Sequence, residues 1–158
     1  MMACMISIED PASVDARGLM DELSATLARI TGDSGKASFD PNDVRAQRAR
    51  FVVARTIDGH AVGCGAFRPL HDGVAEVKRM YARPGTIGVG SAMLAFLESE
   101  ARNLGYKALW LETRLINERA VRFYERRGYR RRANFGKYVG NAKAVCFEKV
   151  LDDPVRDT

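Results

Sequence analysis

The stretch of this chain best suited to chemistry is Met80-Tyr81-Ala82-Arg83-Pro84-Gly85-Thr86-Ile87-Gly88-Val89-Gly90-Ser91. It runs from a strand pattern through a glycine-rich turn into a helix pattern. Glycine lets a backbone bend and approach a ligand closely. The first turn of a helix leaves N–H groups without intrahelical partners, and the helix dipole adds partial positive charge there. Together these features form a receptor for phosphate oxygens. The spacing is not Gly-x-Gly-x-x-Gly, and no Gly-Lys-Ser/Thr triplet occurs, so dinucleotide and P-loop sites fit poorly. Other reactive side chains lack partners in sequence. His60 and His71 have no acid or cysteine at ligand spacing, and no metal is expected. Cys64 and Cys146 sit in apolar runs and read as small core residues.

Strands and helices must hold that turn in place. Met5 to Glu9 reads as a first strand. A helix follows from about Ser13, with Met20, Leu23, Leu27 and Ile30 at helical spacing. Thr31 to Pro41 is a loop, and Asn42 to Arg48 a short helix. Phe51 to Ile57, Ala61 to Phe67 and Ala75 to Ala82 form a three-strand meander, turned at Asp58-Gly59 and at His71-Asp72-Gly73. Gly90 to Leu104 is the strongest helix, striped by Met93, Leu94, Leu97 and Ala101 and closed by Gly105. Ala108 to Glu112 is a strand. A second helix starts at Asn117, suited to cap it, and ends at Gly128. Tyr129 to Phe135 and Ala144 to Leu151 are the last strands. Residues 1–151 thus read as one mixed α/β domain, and residues 152–158 as a charged, loose tail.

The bulk properties narrow the partners. At 158 residues, 46% hydrophobic and 28% charged, the chain can bury a core without disulfides or metal. No apolar run is long enough to span a bilayer and no signal peptide is expected. Three unpaired cysteines suit a reducing cytoplasm. The net charge of +5 is concentrated at Arg126, Arg127, Arg130, Arg131 and Arg132. These read first as a solvated helix end and strand, second as phosphate binders. Nucleic acid comes last, because no aromatic residues interleave with them.

Several motifs in order resemble the GNAT superfamily of N-acetyltransferases. Val77-Lys78-Arg79-Met80-Tyr81-Ala82-Arg83-Pro84 is similar to its fourth strand and Gly88-Val89-Gly90 to its pyrophosphate loop. Leu109-Trp110-Leu111-Glu112-Thr113 is similar to the fifth strand. Asn117 to Tyr129 is similar to the following helix, with its Asn, Ala, Phe-Tyr pair and Gly-Tyr. The resemblance implies a mostly antiparallel sheet of six or seven strands, flanked by about four helices and splayed between strands 4 and 5. The loop admits two registers. One places Ile87 where the family carries Gln or Arg, with Gly90 and Ala92 completing the pattern. The other makes Gly88 and Gly90 the loop glycines.

The implied co-substrate is acetyl-CoA. The implied contacts are Met80, Tyr81 and Ala82 on the thioester and its pantetheine arm, and Ile87, Gly88, Val89, Gly90 and Ser91 on the pyrophosphate. Asn117 and Phe123 come from the later helix. Acetyl transfer to an amine needs a neutral amine, a polarised carbonyl and a proton for the departing thiolate. The resemblance assigns that proton to Tyr124. Glu76 is the leading base and Glu112 its rival. Phe135 and Tyr138 lie in a loop that in such proteins borders the acceptor pocket, and here it is either that wall or a simple turn. The expected acceptor is a primary amine of a small molecule. A protein lysine or N-terminus, or acyl-CoA binding without turnover, are the alternatives. A homodimer, common in the family, stays open.

Overall fold

Alternation at period two builds the centre of the sheet. The computed structural model describes residues 4–152. In β2 (Arg50–Thr56), Phe51 and Val53 pack toward α1 (Val14–Thr31), where Ala16, Leu19 and Met20 meet them. The intervening Val52 turns to the opposite face, toward Leu94 and Leu97 of α2 (Val89–Asn103). β3 (Ala61–His71) repeats the pattern, Cys64 and Ala66 facing α1 and Phe67 facing α2. A register slip of one residue would expose both sets, so the buried faces fix the pairing.

Seven strands form one sheet in the order β1-β2-β3-β4-β5-β7-β6. The others are β1 (Cys4–Ile8), β4 (Val74–Ala82), β5 (Ala108–Arg114), β6 (Arg130–Arg132) and β7 (Ala144–Val150). Every pairing is antiparallel except β4 with β5. α1 covers one face; α2 and α3 (Glu118–Arg126) cover the other. The apolar stripe of α2 is almost wholly withdrawn from water. Truncating Leu97 to alanine there would cost about 2–5 kcal/mol. Tyr129 locks the far end by donating to Glu98 on α2 at 2.8 Å. No described helix is long and apolar enough to cross a membrane.

The mixed, mostly antiparallel architecture follows the expectation, with local differences. The helix expected at Asn42–Arg48 is a single 3-10 turn at Pro41–Val44. It is too short for the hydrogen bonds gained to offset helix nucleation. β3 runs on to His71, because its end still pairs with Val74. The strand expected at Tyr129–Phe135 is cut to Arg130–Arg132, since Phe135 leaves the sheet to pack with Tyr138 and Trp110. The expected tail lies, beyond Asp152, outside the described residues.

Candidate active site

The site begins where the sheet parts. β4 and β5 pair only at Val74–Ala108, Ala75–Leu109 and Glu76–Trp110. Past Glu76 they diverge, which leaves one edge of β4 without a strand partner. The other edge bulges: Tyr81 opposes Cys64, yet Lys78 opposes Ala66, so β4 carries an extra residue. Arg79 absorbs it with φ 57°, a left-handed conformation costing a side-chain-bearing residue about 1–3 kcal/mol. Its guanidinium compensates by donating to Met20 O at 2.8 Å and Ser24 Oγ at 2.5 Å on α1. Gly65 sits opposite, where a Cβ would fall 2.4 Å from Met80 Sδ. A larger residue there would force the Met80 thioether to move.

A cleft of about 620 Å³ follows the split. At one end Gly88, φ 77°, leads into α2, and no side chain caps that helix. The first intrahelical bond runs from Ala92 N to Gly88 O, so the helix makes no use of the N–H groups of Val89, Gly90 and Ser91. Gly90 lets the Phe123 ring close in: a Cβ there would lie 3.3 Å from two ring carbons. Arg127 stacks over the same ring at 3.9 Å, and its Nε donates to Ser91 Oγ at 3.0 Å. Free backbone donors, a dipole end and a guanidinium thus converge, a combination suited to phosphates.

Met80, Tyr81, Ala82, Gly88, Val89, Gly90, Ser91, Asn117 and Phe123 all line this cleft, as do Tyr124, Glu76 and Glu112. Ile87 does not; its side chain is 68% exposed on the outside of the turn. The helix start is framed by Gly88 and Gly90. Tyr81 contributes main chain, because its hydroxyl donates to Glu22 on α1 at 3.0 Å. Asn117 acts as helix cap, its Oδ1 accepting from Ala120 N at 3.3 Å.

Three ionisable groups border the split. Tyr124 is 8% exposed, wedged between the rings of Phe123 and Tyr129, and burial raises its hydroxyl above the usual phenol range. No hydrogen bond joins that hydroxyl to another described residue, so it is free to serve the cleft. Glu76 is 2% exposed. Its Oε1 lies 2.8 Å from Arg68 Nη2, in ionic contact without hydrogen-bond alignment. Its Oε2 accepts from Tyr138 at 3.3 Å and lies 3.8 Å from Lys78 Nζ. Glu112, paired with Arg114, is held above the ordinary carboxylate range by burial.

A second cleft, about 400 Å³, opens on the α1 face beneath the 136–138 turn. It shares Ser38, Glu76, Lys78 and Tyr138 with the first. The two meet at Glu76. Phe135 and Tyr138 are both buried, and both form its wall.

The profile of the acetyltransferase (GNAT) family matches residues 17–129, most of the chain. The chain belongs to the GNAT acetyltransferase family. It is 32% identical over 149 residues to the IAA acetyltransferase of Azospirillum brasilense, covering 92% of this chain and 97% of that one. A solved Klebsiella pneumoniae chain of proposed acyl-CoA N-acyltransferase activity superposes with a TM-score of 0.80 at 28% identity, covering 94% and 98%. A proposed streptothricin acetyltransferase of Bacillus anthracis, solved with acetyl coenzyme A, shares the fold at a TM-score of 0.60 and 20% identity, over 70% of this chain and 67% of that one.

This GNAT acyltransferase holds site residues that sequence reading passed over. Arg127 stood in the arginine group read first as solvated and second as phosphate-binding, and its place four positions after Phe123, on the same helix face, singles it out from the rest. Lys78 entered only as part of the fourth-strand motif and Arg68 not at all. Lys78 lies two residues after Glu76 on the same strand, a spacing that puts both on one face, whereas nothing in the spacing of Arg68 shows that antiparallel pairing carries it to Glu76. Trp110 faces the cluster around Phe135 and lies under Arg132 at 3.5 Å, away from the first cleft. Cys64 is fully buried, and burial pushes its thiol up to about 12, as suits a core residue.

Proposed function

We propose that this chain moves an acetyl group from acetyl-CoA directly to a primary amine of a small molecule. The observation that carries the reading is the meeting of two clefts at Glu76, one ending at unpaired helix N–H groups and the other lined by side chains. The residues present suit the co-substrate. The N–H groups of Val89, Gly90 and Ser91, with Arg127, would hold the pyrophosphate. The open edge of β4 would hydrogen-bond the amides of an extended arm, as a strand edge does for a peptide. Acetyl-CoA would supply an activated thioester.

The roles of the chain's own groups then follow. An N–H among Met80, Tyr81 and Ala82 donates to the thioester oxygen, where negative charge gathers as the amine nitrogen bonds to the carbonyl carbon. Glu76 takes the amine proton, directly or through water; Glu112 is the rival. Tyr124 protonates the sulfur as the carbon–sulfur bond breaks. A phenol holds its proton at neutral pH, so Tyr124 is in the acid form that this step needs. Asn117 and Phe123 hold the α2–α3 wall of the cleft. The small volume of the second cleft supports a small acceptor over a protein one. Because the Azospirillum relative is named for IAA, IAA belongs in the acceptor panel. Buried thiols at Cys64 and Cys146 suit a cytoplasmic setting.

Titration calorimetry with acetyl-CoA, NADH and ATP tests the donor, and thiol release with an amine panel tests the transfer. Selective binding of acetyl-CoA followed by amine-dependent thiol release is expected. Equal or no binding of acetyl-CoA would remove the basis of the reading.

A further inference from the structure

The second cleft has an unusual charge layout. Arg68 and Lys78 reach its inner wall beside Glu76, and Lys137 stands over the mouth next to Tyr138. Two cations therefore contact one interior carboxylate, and a third, Lys137, lines the same cleft. Lys78 is the least satisfied. Its side chain is 8% exposed, its Nζ donates to Ser38 O at 2.5 Å, and the nearest carboxylate oxygen stands 3.8 Å off. A buried ammonium whose carboxylate partner, Glu76, is shared with Arg68 is only partly compensated, so an arriving anion would be favoured there. The outer rim carries the opposite sign. Asp40 and Asp43 are exposed at the entrance, and Asp40 Oδ1 also accepts from Asn42 N. Between rim and inner wall the lining is apolar and aromatic, from Phe39, Leu70 and Phe135.

We infer that the acceptor is an α-amino acid with an apolar or aromatic side chain, its carboxylate held by Lys78, Arg68 and Lys137 and its amine turned toward Glu76. The inference rests on the transferase reading above and specifies its acceptor. The cations flank Glu76, where the clefts join, so the anion they bind must lie within a bond or two of the reacting nitrogen. An α-carboxylate satisfies that distance, whereas a protein lysine offers no anion there. Polyamines are disfavoured by the inner cations. A second carboxylate at the far end of the acceptor is disfavoured by Asp40 and Asp43. The volume falls at the small end of ligand pockets, right for one amino acid and too small for a folded segment.

The test uses the full chain saturated with CoA, which cannot turn over. Calorimetry first establishes CoA binding, then measures L-phenylalanine against phenethylamine, L-tryptophan against tryptamine, and L-glutamate and spermidine. Each monocarboxylate should bind at least ten-fold more tightly than its decarboxylated match, with glutamate and spermidine weaker still. Lys137→Ala, at an exposed position where folding is not at stake, should shrink the gap about three-fold. Arg68→Gln should shrink it further, its melting curve reporting any loss of fold. Failure of CoA to bind would remove the transferase reading and this inference with it. CoA binding with no gap, a reversed gap or no amino-acid binding would overturn the inference alone.

Discussion

The two clefts that meet at Glu76 are built from different materials. The first is largely backbone: unpaired N–H groups at a helix start, an open strand edge, and glycines that keep side chains out. The second is side chain throughout, with charges from β3, β4 and two loops set around aromatic walls. Backbone donors are the same for every side chain except proline, so the first can serve one constant ligand. Side chains exchange freely, so the second can be retuned without touching the fold. A transferase with one donor and variable acceptors needs that division.

The sharpest way to break this division is through Tyr124. Tyr124→Phe should lower kcat by about 10²–10⁴ with little change in acetyl-CoA affinity, because the hydroxyl makes no hydrogen bond to another described residue and the ring stays packed. Single-turnover rates beside calorimetry separate the two quantities. A normal kcat would leave Tyr124 as a packing residue and return the proton to water.

The base comes next. Glu76→Gln should lower kcat about 100-fold while Glu112→Gln stays within about three-fold. The reverse would move the proton to Glu112 and would also show in the pH profile. Burial raises Glu112, so it stays protonated, and unable to act as a base, to higher pH than an ordinary carboxylate. Activity would then fail on the acid side at a correspondingly higher pH, and Glu112→Gln would abolish that limb. Melting curves must accompany Glu76→Gln, since it leaves Arg68 and Lys78 facing a neutral amide.

A smaller effect separates the cofactor end from the acceptor end. Arg127→Ala should weaken acetyl-CoA about ten-fold, the worth of one charge-assisted contact, and should flatten the salt dependence of binding. Acceptor affinity should not move. If acceptor affinity falls equally, Arg127 is bracing α3 through Phe123 and is not meeting phosphates.

The division also explains what the sequence could reveal. Backbone sites leave local signatures, because glycine spacing and a strand-to-helix switch fit within Met80–Ser91, and Asn117 through Tyr129 sit on one helix and its exit. The seven strands were legible for the same reason, as periods and breakers occupy contiguous windows, whereas the β4–β5 split was implied only by the family resemblance. The second cleft left no such trace. Arg68 meets Glu76 only because β3 and β4 pair in one register, and Tyr138 arrives from 62 residues away. The shortened β6 was hidden likewise: Phe135 has a fine strand propensity, but its gain from packing on Trp110 and Tyr138 outweighs it.

The smallest expected effect concerns the ties that hold α1 against the sheet. Glu22 accepts from Arg83 at 2.7 Å and from Tyr81, just before the glycine turn, whereas Glu9 pairs with Arg55 at 2.7 Å and lines neither cleft. Both carboxyls are held below their ordinary values, in each case chiefly by the hydrogen-bonded arginine. The folded chain therefore binds fewer protons than the unfolded one across that interval. The stability each carboxylate gives is complete above its unfolded value and is lost as pH falls through the depressed one. Glu9→Gln and Glu22→Gln should each flatten the acid side of a melting-temperature profile by a small, salt-sensitive amount, as partly exposed pairs do. Only Glu22→Gln should also raise the KM for acetyl-CoA, about two-fold, because it alone anchors the strand end that enters the cofactor cleft. An equal KM rise in Glu9→Gln would mean that α1 acts on the cleft as one rigid body, and that the backbone site depends on side chains after all.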